Sequence, residues 1–424
     1  MKILWVCNSP VKRYYEFKGT KMEGASWIDG LLENFPINSE VELGVCFPLS
    51  ITNEVELLND GNIQYYVVPL KKNYYNLEQY YVQMYTQIIR HYSPDIIHIW
   101  GTEFPYVLYM VMAAVECGVR ERVVISLQGM CSAIQKHYYA NIPEQIVKGY
   151  TFRDFVKRDN LVKQKKNYQL RAKYEKDAIQ TVHYVIGRTD YDHAYARMIN
   201  PQVTYFHCNE ILRPIFYEKR WRYDNCEKHT LFVSQAFYPL KGCHFVLEAM
   251  HSVKKIYDDV HLYIAGPDIL RKNNGISGKI KKSTYGRYLS KLIKKYNLEN
   301  NVTFLGSLTQ EEMCEWYLRC NVFVSASATE NESNSLSEAK MLGMPVIASL
   351  VGGISNRITH RQDGLTYQYD DTQILAYHIC ELFENEELAI KLGENAVNKA
   401  HFINDKKQNV KRQLEIYRAI YERQ

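Results

Sequence analysis

Short runs rich in β-branched and aromatic residues recur along the chain, each followed by a stretch with helical patterning, and this alternation limits the fold more than any other feature. The early runs are Ile3–Cys7, Val41–Phe47, Gln64–Pro69, Ile96–Trp100, Arg122–Leu127, Val182–Gly187 and Val203–His207. Several are apolar on both faces, as strands buried between two helical layers must be. The pattern breaks over Asn209–Asp224, which carries Arg213 and Pro214, and a second series follows at Thr230–Ser234, His261–Ala265, Val302–Leu305, Val322–Ser325 and Pro345–Ser349. The expectation is an α/β protein with two doubly wound domains, residues 1–212 and 213–404, the final helix (405–424) crossing back onto the first. Ligands of such sheets lie at the carboxyl ends of the strands, which places a site in a cleft between the domains.

The 424 residues suffice for two or three domains at roughly 150 residues each. A net charge of +5 is too dilute for a nucleic-acid binder, which needs a concentrated basic stripe. The longest apolar stretch, Tyr106–Val115, is about half of what a membrane-spanning helix requires, and Ile3–Cys7 is too short for a signal peptide, so a cytoplasmic location is expected. The ten cysteines form no C-x-x-C pair and read as reduced core thiols. One segment concentrates charge: Lys148–Lys176 has ten basic residues against three acids, with Tyr150, Phe152, Phe155 and Tyr168 interspersed. It fits either a solvated helix face or a peripheral contact with anionic lipid or an anionic acceptor.

Chemistry concentrates in residues 325–348. A buried strand ends at Ser325, a small polar loop follows, a helix opens, and Gly343 precedes the next strand. Helix-terminal amides and the macrodipole favour an anion there, and Glu330 and Glu338 flank the position with carboxylates suited to sugar or ribose hydroxyls. Ser335-x-x-Glu338 equally fits a capping box, with Glu338 returning to the Ser335 amide, and the residues alone leave both assignments open.

Glu330 and Glu338 spell E-x7-E, and together with Gly343-Met344-Pro345-Val346 and Gly352-Gly353-Ile354 the set resembles the retaining nucleotide-sugar glycosyltransferases of family 4. Further landmarks run in order: Gly24-Ala25-Ser26 resembles the glycine turn, Pro94–Trp100 the P-D-hydrophobic-hydrophobic-H strand, Asn209–Phe216 the connector, Phe232-Val233-Ser234-Gln235 to Lys241-Gly242 the phosphate-binding turn, and Asn301–Gly306 the strand beside the base. The resemblance implies the GT-B fold, two Rossmann-like domains facing across a cleft. It implies that Lys241 neutralises the diphosphate, Glu338 holds the ribose, Glu330 faces the sugar, and the amides of Asn334 and Ser335 cradle the distal phosphate, with Gly306, Gly24 and Gln235 also lining the donor. The expected activity is metal-independent transfer of a hexosyl or N-acetylhexosaminyl group, without cofactor, to a glycan or lipid-linked glycan acceptor in bacterial polysaccharide synthesis. Alternatives are a nucleotide-sugar epimerase of the same fold or a silent nucleotide-sugar-binding subunit.

Three departures stand out. The arginine that pairs with the phosphate lysine is absent, with Gln235 six residues before Lys241, leaving Arg213, Arg188 or another basic group as substitutes; Gln128 stands where a histidine near the reacting sugar is usual; and Glu210 replaces a connector glycine. Gln128 remains an expected active-site residue, able to hydrogen-bond a sugar but not to exchange protons near neutrality. Asp190-Tyr191-Asp192 is formally a D-x-D, but it opens a helix, where acids are ordinary stabilisers. No G-x-G-x-x-G follows the first strand, which disfavours a nicotinamide dehydrogenase.

Overall fold

The computed structural model describes residues 1–20, 28–38, 40–50, 54–72, 74–270 and 281–423. They form two compact units. The first comprises Met1–Ser132, Gln169–Ile211 and Asn404–Gln424. Its strands are β1 (Lys2–Val6), β2 (Glu42–Leu49), β3 (Glu56–Asp60), β4 (Ile63–Pro69), β5 (Ile96–Trp100), β6 (Val123–Ser126), β7 (Tyr184–Gly187) and β8 (Thr204–His207). They lie in the order β3-β4-β2-β1-β5-β6-β7-β8, parallel except for the β3–β4 hairpin. The sequence reading omits β3 because Glu56-Leu57-Leu58-Asn59-Asp60 is a half-exposed edge strand that needs no apolar alternation.

The terminal helix Lys406–Tyr421 places Ile416, Tyr417 and Ile420 in the core of this unit beside Trp5, Phe35 and Trp100. The Trp5 indole N–H donates to the Tyr417 hydroxyl at 3.0 Å, which also lies 2.5 Å from His98 Nδ1. His98 Nε2 meets Ser126 Oγ at 2.7 Å. These buried polar atoms satisfy one another. Burial holds the His98 imidazole well below its usual pKa, so it is neutral.

The second unit comprises Ala133–Tyr168 and Leu212–Ile403. Its sheet is wholly parallel, in the order β11-β10-β9-β12-β13-β14, from β9 (Glu227–Val233), β10 (His261–Ala265), β11 (Val302–Gly306), β12 (Cys320–Ser325), β13 (Val346–Ser349) and β14 (Leu365–Tyr367). At three residues, β14 is too short to register as a hydrophobic run.

The unit boundary differs from the expected 1–212 in one respect: residues 133–168 pack with the second unit. Tyr138, Ile142, Val147 and Leu161 share a core with Val246, Met250, Tyr285 and Leu289. Two buried polar contacts fix the arrangement. His244 Nε2–H donates to the Ala140 carbonyl at 2.8 Å while Nδ1 accepts from the Tyr285 hydroxyl at 3.0 Å. Asp154 accepts from the Thr284 amide at 3.0 Å and hydroxyl at 2.5 Å. Nothing in the local composition marks this excursion, because its partners lie about a hundred residues away in the chain. The boundary consequently falls inside the helix Leu161–Thr181, dividing the Lys148–Lys176 segment.

All ten cysteines are free, and all but Cys117 are buried. Among the described residues no helix is long and apolar enough to cross a membrane.

Candidate functional site

In the second unit two loops meet at the carboxyl ends of β9 and β12. The chain leaves β9 through residues 234–238 and turns in a short 3-10 helix, Pro239–Lys241, that ends on Gly242 at φ +68°. A β-carbon at Gly242 would lie 1.8 Å from the Ala326 carbonyl oxygen, so glycine alone lets this turn rest on the loop after β12. The Ala328 amide donates to the Leu240 carbonyl at 2.8 Å and zips the loops together. The Lys241 ammonium is thereby held 2.6 Å from Glu330 Oε2, which also accepts from the Ser327 hydroxyl at 3.1 Å. Both charged side chains keep a window to solvent, 20% and 15% exposed. Burial works against the Lys241 cation, but Glu330 and then Tyr238 outweigh it and raise the pKa, so the group stays charged.

The loop after β12 is braced from β13 and beyond. The Gly353 amide donates to the Glu330 carbonyl at 3.0 Å, and the Ser349 hydroxyl to the Ser327 carbonyl at 2.6 Å. Beneath it, the buried pairs Glu332–Arg357 (2.9 Å) and Lys340–Asp363 (2.6 Å) anchor the loop and the helix Asn334–Leu342.

That helix is capped by Ser333, whose hydroxyl accepts from the Leu336 amide. The capping box suggested by Ser335-x-x-Glu338 is therefore not formed: the cap lies two residues earlier, and Glu338 is free of any capping role. Glu338 is buried, and Arg213 donates to its Oε1 through Nη2 at 2.6 Å and Nε at 3.2 Å. The Tyr317 hydroxyl lies 3.3 Å from Oε2. Burial pushes the Glu338 carboxyl above its usual range, with Arg213 and Tyr317 pulling the other way. Asn334 and Ser335 stand half-buried at the helix head, where first-turn amides have no intrahelical acceptor.

The structure thus brings Lys241, Glu330, Asn334, Ser335 and Glu338 to one corner of the second unit. Gly306 closes β11 at φ +81° with open space where a side chain would stand, and its carbonyl accepts from the Gly266 amide at 2.8 Å. Gln235 is exposed on the loop after β9. Gly24 lies outside the described residues. Arg213, considered above as a phosphate-binding substitute, is instead committed to Glu338. Tyr317 was not singled out from the sequence, because 21 residues separate it from Glu338 and no motif links them.

Gln128 belongs to the first unit, where two of the departures are bonded to each other. Its amide Nε2–H donates to Glu210 Oε1 at 2.6 Å, and its Oε1 accepts from Arg188 Nη2 at 3.1 Å. Arg188 Nη1 reaches the same Glu210 oxygen at 2.7 Å. Arg188 is therefore also committed, to a carboxylate standing where a glycine was expected. Asp192 caps its helix in a reciprocal capping box with Thr189 and accepts from the Tyr205 hydroxyl at 2.6 Å.

Chemically, the Lys241 corner offers one cation and free helix-head amides for an anion, and two carboxylates for hydroxyls. Residues 218–399 match the family described as glycosyl transferases group 1. A D-inositol 3-phosphate glycosyltransferase of Corynebacterium urealyticum is 27% identical over 185 residues, 43% of this chain and 41% of that protein. The aligned stretches span from about a quarter to about two fifths of the length of the curated relatives that the chain matches. Among solved structures, sucrose-phosphate synthase from Thermosynechococcus elongatus superposes with TM-score 0.70 at 16% identity over the whole of both chains. Anabaena HepE in complex with UDP-glucose does so with TM-score 0.65 at 16% identity, covering 99% of this chain and 100% of that one. These likenesses establish the fold, GT-B with two α/β parallel-sheet domains.

Proposed function

We propose that the chain is a family 4-like glycosyltransferase, a reading that the glycosyl transferases group 1 match over residues 218–399 supports, and that it moves a sugar from a nucleotide-sugar donor to a glycan or lipid-linked glycan acceptor in bacterial surface-polysaccharide synthesis, with retention of anomeric configuration. The observation that carries the proposal is the Lys241–Glu330 pair set beside the helix-head amides, with Glu338 positioned by Arg213 and Tyr317.

The donor diphosphate takes Lys241 over from Glu330, and the released Glu330 carboxylate accepts from sugar hydroxyls. Glu338 keeps a lone pair on Oε2, beside the Tyr317 hydroxyl, for the ribose hydroxyls, since Arg213 occupies Oε1. As the bond from the anomeric carbon to the phosphate oxygen breaks, charge grows on the leaving diphosphate and is met by Lys241 and the amides of Asn334 and Ser335. The acceptor oxygen bonds to the same face of the sugar, and its proton passes to the departing phosphate. No protein nucleophile and no metal enter this scheme, so turnover should survive a chelator.

A thermal-shift panel of nucleoside diphosphates and nucleotide sugars, UDP and UDP-glucose among them, tests donor binding. A ligand at ~100 times its Kd stabilises the fold by about 3 kcal/mol. Loss of that shift in Lys241→Ala supports the proposal, and an undiminished shift overturns it. Conversion of the donor without acceptor would point instead to an epimerase.

A further inference from the structure

Residues 148–158 form a strap on the second unit that is anchored by buried hydrogen bonds yet carries apolar side chains outward. Thr151 caps the short helix Phe152–Lys157 by accepting from the Asp154 amide, and Asp154 turns inward to the buried Thr284. At the far end Arg158 adopts φ +48°, and Leu161 returns to the core. On the outside, Phe152 is 64% exposed, Phe155 70% and Val156 62%, with Tyr150 at 55%. Phe152, Phe155 and Val156 stand at i, i+3 and i+4 and so share one face. Isolated exposed apolar residues are ordinary; four within seven residues, on a segment pinned by a buried carboxylate, are not.

The charges around this face are predominantly positive. Of the three acids in Lys148–Lys176, Asp154 is buried against Thr284 and Asp159 is paired with Arg153 at 3.0 Å. Glu175 is buried in the first unit, accepting from the amides of Cys131 and Ser132. Lys157, Arg158, Lys163 and Lys166 remain exposed, and Lys148 meets only the exposed Glu144. The helix that holds Asp154, Thr284–Lys295, adds exposed Arg287, Lys291, Lys294 and Lys295 and contains no acid.

We propose that this strap docks the protein on an anionic phospholipid bilayer, with Phe152, Phe155 and Val156 entering the interface and the surrounding lysines and arginines lying at the headgroups. Protruding rings inside a predominantly basic surround, in which the acids Glu144 and Asp159 are each paired to a base, match the two components of interfacial binding, apolar insertion and attraction to anionic lipid. The docking deepens the lipid-linked acceptor suggested above and rests on that reading only for its purpose, because vesicle binding is measured without turnover.

The test is co-flotation of the full chain with phosphatidylcholine vesicles, with and without about one third phosphatidylglycerol, at low and high salt. Binding should require the anionic lipid and weaken with salt. Lys157→Glu with Lys163→Glu should weaken it by at least roughly fivefold per position, the equivalent of ~1 kcal/mol for each charge near the surface. Phe152→Ser with Phe155→Ser should weaken it on the order of tenfold per ring, and Phe155→Trp should restore binding. All these positions are exposed, so each variant should keep the wild-type melting temperature and its donor-induced shift, which separates a failure of docking from a failure of the donor site. The proposal is overturned if wild type stays off both vesicles, if the serine variant floats like wild type, or if an acidic oligosaccharide binds the strap while vesicles do not.

Discussion

Each unit holds an ion pair in the loops that follow its parallel strands, and the two pairs are built differently. In the second unit Lys241 and Glu330 meet through a single contact at 2.6 Å, with a flexible lysine and both groups partly exposed. In the first, Arg188 and Glu210 are bridged by Gln128, which bonds to both, and the side chains are 4% and 11% exposed. A pair held through one contact, with a path to solvent, can exchange its carboxylate for an incoming anion. A desolvated and cross-linked pair cannot release a partner without stranding a charge. One arrangement suits a site that exchanges partners, and the other suits a scaffold.

The sharpest way to separate them is to delete one member of each. Lys241→Ala and Glu330→Ala should each lower transfer by about 10²–10³ while leaving the melting temperature near wild type, measured as kcat/KM with the identified donor. Near-normal turnover of both would erase the distinction. Glu210→Ala should act in the opposite sense. Donor-induced thermal shifts persist, but the chain loses about 3 kcal/mol of stability in chemical denaturation, because the buried Arg188 loses the Glu210 carboxylate. Combining it with Arg188→Leu should recover most of the loss, and strictly additive losses would show that the pair is not coupled.

A smaller effect is expected on acidification. His244 joins residues 133–168 to the second unit, and burial lowers its pKa from 6.5 to about 4. Between these values the unfolded chain binds a proton that the folded chain refuses, so stability falls as pH drops below 6.5, by about 2 kcal/mol at pH 5. Comparing wild type with His244→Gln by denaturation at pH 7 and pH 5 checks the sign; an equal pH dependence in both would assign it to other groups.

Much of the second unit was legible in the sequence because its chemistry is local. Glu330 and Glu338 lie eight residues apart across one loop and one helix turn, and Gly242 follows Lys241 directly, so short-range spacing carried the motif. Where a short-range rule competed with a long-range partner, spacing misled: Ser335-x-x-Glu338 read as a capping box, whereas Glu338 is claimed by Arg213, 125 residues away in the chain. In the first unit Gln128 and Glu210 read as two separate departures, and only folding shows that each satisfies the other.

By itself, then, the alternation of apolar runs determined two parallel-sheet units, and the E-x7-E stretch with Lys241 marked the candidate site. Both follow from periodicity and from backbone groups that any helix head exposes. Tertiary structure alone decided that residues 133–168 join the second unit, that Arg213 and Arg188 are committed rather than free, and that Phe152 and Phe155 face outward. Those outcomes depend on which buried polar atoms find partners and which apolar surfaces find cover, and a linear pattern does not contain that competition.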